Sequence, residues 1–544
     1  MKDIASELIE KQEKLAADRS TAEAHWQEIA EIMFPRQNDF YDQQKTEGEK
    51  RSEKIVDGTA QLALERSAHI VEALVTPRGT KWHGLKHPDE RVNENQEAAE
   101  WYDRLTDKLF QIRYSPKGNF GNQQHETYMS LMGFGTGVKK IEEMPGRGII
   151  YKSSHISEHF FMENRSGVID SDWRKYKLTA RQAAQTFGYQ ALPEKIQTAV
   201  DKKPSELFWF LHCVFPNTER QYGRKDNKNM AFSSFHVAVD DKRLLGHGGF
   251  RTFPYIVSRY SKSPNETYGR SPAMTALAEA KMLNQMRKTD LRARHLAIDP
   301  IVLAADQQTV RAVKMKPRHI VYGGLAPTGE PLVKPFDNRA RIELSNDAIQ
   351  QSRDFINDVF FVKLFQTMVE NPSMTATQVL ELVRERNMIA SPALGRIESE
   401  DLAMMIDREI DILAENGLFD EGGELEMPDI IRESGAAFEI EYTSPLANMR
   451  KSEEALAAQR TIEASLPIAQ IDPSVLDNIS WDDYVDIVAS ANGAPARLFR
   501  SDEEKQAIRQ NRQQQQQMAQ MAEALPQVSG SIKDIADAQA VARG

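Results

Sequence analysis

Cysteine is almost absent from this 544-residue chain. Cys213 stands alone, so neither an intrachain disulfide nor a cysteine-based zinc site can form. Also missing is any apolar run near the roughly 18 residues of a membrane span. The N-terminus (Met1, Lys2, Asp3, Ile4) reads as an amphipathic helix without the apolar core of a signal peptide. A protein made and first used in cytoplasm, with no membrane partner, is expected. No Gly-x-x-x-x-Gly-Lys-Ser/Thr string occurs, so there is no P-loop and no nucleotide-driven motor of that type. Positive charge is in deficit: 69 Lys and Arg against 80 Asp and Glu leave a net charge of −11. Tight duplex binding comes from neutralising phosphates with Lys and Arg. A dedicated DNA clamp is therefore not expected, although an acidic chain can surround DNA without gripping it.

What is present is ordinary for a soluble globular protein, at 40% hydrophobic and 27% charged. The length calls for several packed units. The fold class expected is α+β, mainly helical in the second half. Apolar residues at helical spacing (Ile4, Leu8, Leu15, Ala22, Trp26, Ile29, Met33) predict a first helix stopped by Pro35. Further helices are predicted over 57–75, 96–112 and 119–132, with a polar loop at 40–51. The period then shortens, and strands are predicted at 138–141, 148–151, 159–162, 173–178, 208–214, 235–239 and 255–260. Thr179 and Gln182 form a capping-box pattern, and Gly188 should end the helix they open.

From Tyr268 onward the pattern becomes helical. Ser271 suits an N-cap and Pro272 the first helical position, predicting a helix to about Leu296. A β-rich insert follows to about Glu343, then a helix to Phe365. Thr375-Ala376-Thr377 opens a longer helix reaching Asn416, with a kink at Pro392 and a stop at Gly417. Helices are also predicted over 449–466, 473–491 and 502–524.

Several motifs invite chemistry and give little. Gly133-Phe134-Gly135-Thr136-Gly137 follows a helix and precedes a strand, the reverse of a dinucleotide fingerprint, and reads as a tight turn. His83 and His87 lack a third ligand and read as a surface pair, not a metal site. Asp240-Asp241 reads as a hairpin turn and Asp482-Asp483 as the first turn of a helix. Neither acidic pair has a nucleophile or oxyanion device beside it. No catalytic residue, cofactor or metal is predicted.

Tyr268-Gly269-Arg270-Ser271-Pro272 before a helix, a β-rich insert, a returning helix, and then Met374-Thr375-Ala376-Thr377-Gln378-Val379 together resemble the portal (head-to-tail connector) proteins of short-tailed phages. The resemblance covers most of the chain. It implies a portal fold with a wing (1–270), a stem helix down (271–297), a clip (298–343), a stem helix up (344–366) and a tunnel loop (367–374). The long kinked helix and returning wing strand would take 375–443, and a crown 444–544. It also implies a ring of about twelve subunits through which double-stranded DNA passes in packaging and ejection. The partners implied are the packaging terminase (large subunit), tail adaptor proteins, the major capsid protein and scaffold. Thr367, Met368, Val369, Glu370, Asn371, Pro372 and Ser373 would line the DNA channel. Lys314, Lys316, Arg318, Arg339 and Arg341 make the clip the most basic stretch, facing DNA, an acidic surface on motor or adaptor, or only solvent. Another structural or adaptor protein of the head-tail junction or internal core is the alternative. A DNA-processing enzyme would need the P-loop or carboxylate cluster that the sequence lacks.

Overall fold

The computed structural model describes residues 4–37, 40, 51–144, 148–221, 226–304, 325–335, 342–362, 395–469, 473–491, 504–505 and 507–515. The chain forms two compact units, one of Met1–Gly79 with Ile112–Glu415, the other of Thr80–Gln111 with Asn416–Gly544.

The first unit is built around a five-stranded antiparallel sheet, His159–Glu163, Ile169–Thr179, Leu207–Pro216, Phe232–Ala238 and Arg243–Phe250, in that spatial order. The turn at Asn164–Gly167 closes through Asn164 N–H to Val168 O, with Gly167 at φ +78. Alternation along the strands gives the sheet two apolar faces. Trp173, Leu211, Cys213 and Val237 on one face pack under Ala5, Leu8 and Ile9 of the helix Ile4–Met33. Phe208 and Phe210 on the other face meet Ala183 of Ala180–Phe187 and Ile196 of Glu194–Lys202. The capping box of Thr179 and Gln182 is present, and Gly188 ends that helix at φ +83.

Further along, Ile4–Met33 reaches a second core. Trp26 and Ala30 join Phe134, Val138, Tyr255 and Val257 there. Val138 and Val257 belong to a three-stranded sheet, in the order Gly148–Ser153, Thr136–Met144, Tyr255–Arg259. Each such buried aromatic or branched side chain contributes about 1.5–3 kcal/mol.

Two helices leave this body as a hairpin, Pro272–Ile298 and Ile342–Val359. Asn284 accepts from the backbone of Val56 and Asp57, and Arg353 pairs with Asp57 at 2.6 Å. Nearer the tip, Arg294 donates to Asn346 at 2.6 Å, so the helices run antiparallel. Between them Val302–Ala304 pairs antiparallel with Val333–Pro335. The returning helix ends at Val359, before the Phe365 expected. Phe361 is left-handed at φ +58, and its N–H turns back to Asp358 O, which breaks the helical ladder.

After the described residues resume at Gly395, the chain is helical to Glu415. Ile397–Ala403 is a π-helix and Met404–Glu415 is α. Gly417, at φ +71, follows its end.

In the second unit, His83–Lys86 pairs antiparallel with Glu439–Tyr442. From the helix Gln96–Arg113, the Trp101 indole N–H donates to Leu425 O at 3.2 Å and the Tyr102 hydroxyl to Ala437 O at 2.6 Å. His83 and His87 are both buried, contrary to the surface pair expected. His83 stacks on Phe110, and His87 Nδ1 accepts from Asp89 N–H at 3.0 Å to turn the chain. The single helix expected at 473–491 is two elements, a 3-10 helix Pro473–Asn478 and the α-helix Trp481–Ala491, because Ser480 caps a new start through Asp483 N–H.

Candidate functional site

The two glycine motifs singled out in the sequence meet each other. Gly135 ends the helix Phe120–Phe134 at φ +80, and the strand Thr136–Met144 begins at the next residue, the tight turn expected. Across from it runs Tyr268–Pro272. A Cβ on Gly269 would stand 2.1 Å from Gly135 O, and one on Gly135 would stand 2.4 Å from Gly269 O. Only two glycines allow this backbone contact.

Around it every member of the five-residue motif is engaged. Tyr268 packs edge-on to Trp26 at 5.2 Å, and its hydroxyl accepts from Phe161 N–H at 3.3 Å. Gly269 N–H donates to Thr136 Oγ1 at 2.9 Å. Arg270 N–H donates to Ser261 O at 2.7 Å, and its guanidinium pairs with Glu266. Ser271 Oγ accepts from Met274 N–H at 3.1 Å and donates to Gly133 O at 2.9 Å, so one hydroxyl caps the long helix and ties it to the turn. Pro272 opens the helix. Beside the motif lies a cavity of about 830 Å³ whose lining includes Leu15, His25, Trp26, Phe161, Tyr268 and Met274. The motif is a root that fixes the long helix to the body.

A second constellation was not legible as one. The helical segment 395–415 is held to the rest of the first unit by buried charges. Arg113 Nε reaches both Glu409 oxygens at 3.0 Å, with 0% and 1% side-chain exposure for the pair, and Glu409 also accepts from the Tyr151 hydroxyl. Lys139 pairs with Asp401 at 2.5 Å and donates to Gln124 Oε1, and Gln124 Nε2 donates to Asp401 at 2.7 Å. Arg259 joins Glu400 at 2.8 Å and Glu163. Burial pulls the Lys139 ammonium below its usual range, only partly offset by Asp401. Burial also opposes the Arg113 charge, but Glu409 outweighs it and its pKa rises. Burial, then Glu409, drives the Tyr151 phenol far up. Glu400 and Asp401 lie in the π-helix, whose i→i+5 register re-aims successive side chains, and Glu409 in the α-helix that follows it.

A third cluster has the order of a nucleophilic triad. Ser154 Oγ lies 2.7 Å from His159 Nε2, and His159 Nδ1 lies 2.8 Å from Asp172 Oδ2. His159 and Asp172 have no exposed side-chain surface, and the Ser154 N–H is spent on Val138 O. The arrangement satisfies a buried imidazole at both nitrogens.

Thr367, Met368, Val369, Glu370, Asn371, Pro372 and Ser373 lie outside the described residues, as do Lys314, Lys316, Arg318, Arg339, Arg341, Thr375, Ala376, Thr377 and Pro392. Among the described residues, no group of three or more His, Cys, Asp or Glu is arranged to hold a metal ion.

A family model described as "Bacteriophage head to tail connecting protein" matches residues 5–499. The chain belongs to that family. It is 26% identical over 513 residues to the portal protein of Salmonella phage epsilon15 and 25% identical over 513 residues to the probable portal protein of Bordetella phage BPP-1. Each alignment covers 93% of this chain and 90% of the relative. A chain from a solved structure, the neck of an empty GTA particle computed with C6 symmetry, aligns over 73% of this chain and 84% of its own length, at 9% identity and a TM-score of 0.36. The resemblance read from the sequence is borne out by the family and by both portal relatives. Family membership makes this a structural component of a phage particle.

Proposed function

We propose that the chain is a portal subunit working as one copy in a closed ring of about twelve at a capsid vertex. Double-stranded DNA passes through the ring on packaging and ejection. The ring docks the packaging terminase (large subunit) and later the tail adaptors, and meets the major capsid protein and scaffold during assembly in the host cytoplasm. The observation that carries this is the match of one connector family across residues 5–499, together with two portal relatives aligned over most of their length. In this reading the hairpin of Pro272–Ile298 and Ile342–Val359 is the stem and the ladder between them part of the clip. Residues 367–374 are the tunnel loop, 1–270 and 375–443 the wing, and 444–544 the crown. The body then carries the stem through the glycine-to-glycine root, and the buried charges hold the helix that follows the loop.

Electron microscopy of the purified chain, viewed down the particle axis, tests this. Rings of about twelve-fold symmetry with a hole that admits duplex are the expected result. Monomers, or closed particles without a channel, at high concentration and across salt conditions would overturn it in favour of an adaptor role.

A further inference from the structure

The two helices of the hairpin carry opposite charge. Pro272–Ile298 has five Lys and Arg against Glu279 and Asp290, while Ile342–Val359 has four Asp and Glu against Arg353 alone. Charges on the inner sides are consumed locally: Asp290 by Arg287 and Arg294, and Arg353 by Asp57. On the outer sides Lys281 pairs with Glu28 and Asp354 accepts from Gln350, but the stripes also hold charges left over. Lys281, Gln285, Lys288 and Arg292 are exposed and recur at intervals of four, three and four, which sets them on one face of a helix. Asp347, Gln351, Asp354 and Asp358 recur at the same intervals on the returning helix, all exposed except the half-buried Asp354. Lys288, Arg292 and Asp347 have no ion-pair partner among the described residues. Apolar groups flank both stripes, with Met282 at 47% exposure on one helix and Phe355 at 47% on the other.

We propose that in the ring the outer face of Pro272–Ile298 of one copy seats antiparallel on the outer face of Ile342–Val359 of the next. Read in opposite directions the spacings coincide. Arg292 meets Asp347, Lys288 meets the Gln351 amide, Gln285 meets Asp354, and Lys281 meets Asp358. The contact is head-to-tail, because each copy offers its basic face to one neighbour and its acidic face to the other. Such a contact closes into a ring only if copies are related by rotation without a rise along the axis. The hairpin meets that condition. The Arg294–Asn346 bond sets Arg292 and Asp347 at nearly the same level, so a neighbour brings them together with little translation. Exposed ion pairs are individually weak and screened by salt, so the interface is salt-sensitive and gains its strength from repetition around the ring.

This inference rests on the ring reading, and one set of variants separates the two. The first variant carries Lys288→Glu and Arg292→Glu, and the second Asp347→Lys and Gln351→Lys. Lys281 is left alone because it already pairs with Glu28 at 2.6 Å. All four positions are exposed, and circular dichroism checks that each variant folds. Native mass spectrometry and sedimentation velocity at low salt read assembly. Each variant alone should need at least about tenfold more protein than the unaltered chain to reach half assembly. Mixing the two variants, or combining the four substitutions in one chain, should restore rings. Unaltered chains that form rings while either variant does so equally well would overturn this interface and leave the ring reading standing. A mixture that stays monomeric, or stops at dimers, would also overturn it. Unaltered chains that never form rings would sink the ring reading and this interface with it.

Discussion

At the residue scale, the Gly135–Gly269 contact is the least forgiving position described. Gly269→Ala puts a methyl 2.1 Å from Gly135 O, and neither partner is a side chain that can swing away. The root must open, which also strains the Ser271 and Gly269 hydrogen bonds. A loss of about 3 kcal/mol or more is expected in urea unfolding; a loss below about 1 kcal/mol would show that the contact yields. The buried imidazoles make a separate prediction. His236 stacks on His212 at 4.1 Å. Burial, then Lys140, pushes its pKa down to about 4 against the opposing pull of Glu142. His212 is lowered too, by burial and then by His236. The fold holds His236 neutral, so between pH 6.5 and about 4 the unfolded chain binds the extra proton and acid favours it. The stabilisation is complete above pH 6.5 and falls by on the order of 3 kcal/mol toward pH 4. Thermal unfolding across that range should show the slope, and His236→Phe should reduce it, leaving the part that His212 supplies. An unchanged slope in the variant would rule out His236 as the source.

At the element scale, the lock on the helical segment 395–415 separates two accounts of buried charge. Removing one partner strands the other, at about 3–5 kcal/mol, whereas replacing both by apolar groups is often neutral or better. Glu409→Gln should therefore destabilise by several kcal/mol, on the order of that range, and Arg113→Met with Glu409→Leu should recover most of the loss. If the double variant is as unstable as the single one, the pair supplies stability itself. None of this was legible in the sequence. Lys139 and Lys140 sit inside a strand pattern, where a cation reads as solvated, yet both Lys139 and Asp401 have no exposed side-chain surface. Their partners lie 262 positions apart in the numbering. The π-helix was equally hidden, because its apolar spacing does not announce a changed hydrogen-bond register. The strand Arg243–Phe250 was missed because Gly246, Gly248 and Gly249 interrupt its alternation. What local chemistry decides was readable: the Thr179 capping box, the Ser271 cap and the turn at Gly135 all lie where the residues demand them.

At the scale of the whole molecule, the order of parts along the chain carried more than any single motif. A helix, a short ladder and an antiparallel returning helix follow from capping, spacing and turn residues. That Gly133–Gly137 meets Tyr268–Pro272 does not, because such contacts depend on packing between distant segments. The remaining test bears on DNA. In the segment from Gln366 to Ser373 the only charge is Glu370, with Met368 and Val369 beside it. If this loop faces passing duplex, the absence of cations is what permits sliding, since each phosphate contact would release counterions and hold the DNA. Glu370→Lys, repeated around the ring, should leave ring mass unchanged and slow DNA packaging most at low ionic strength, with recovery as salt rises. Glu370→Gln, which adds no cation, should package at close to the normal rate at every salt concentration. Loss of the ring in the lysine variant would show that the segment builds the interface between copies. Packaging that is slowed equally at all salt concentrations would instead mean that the loop acts by shape, without electrostatic contact with DNA.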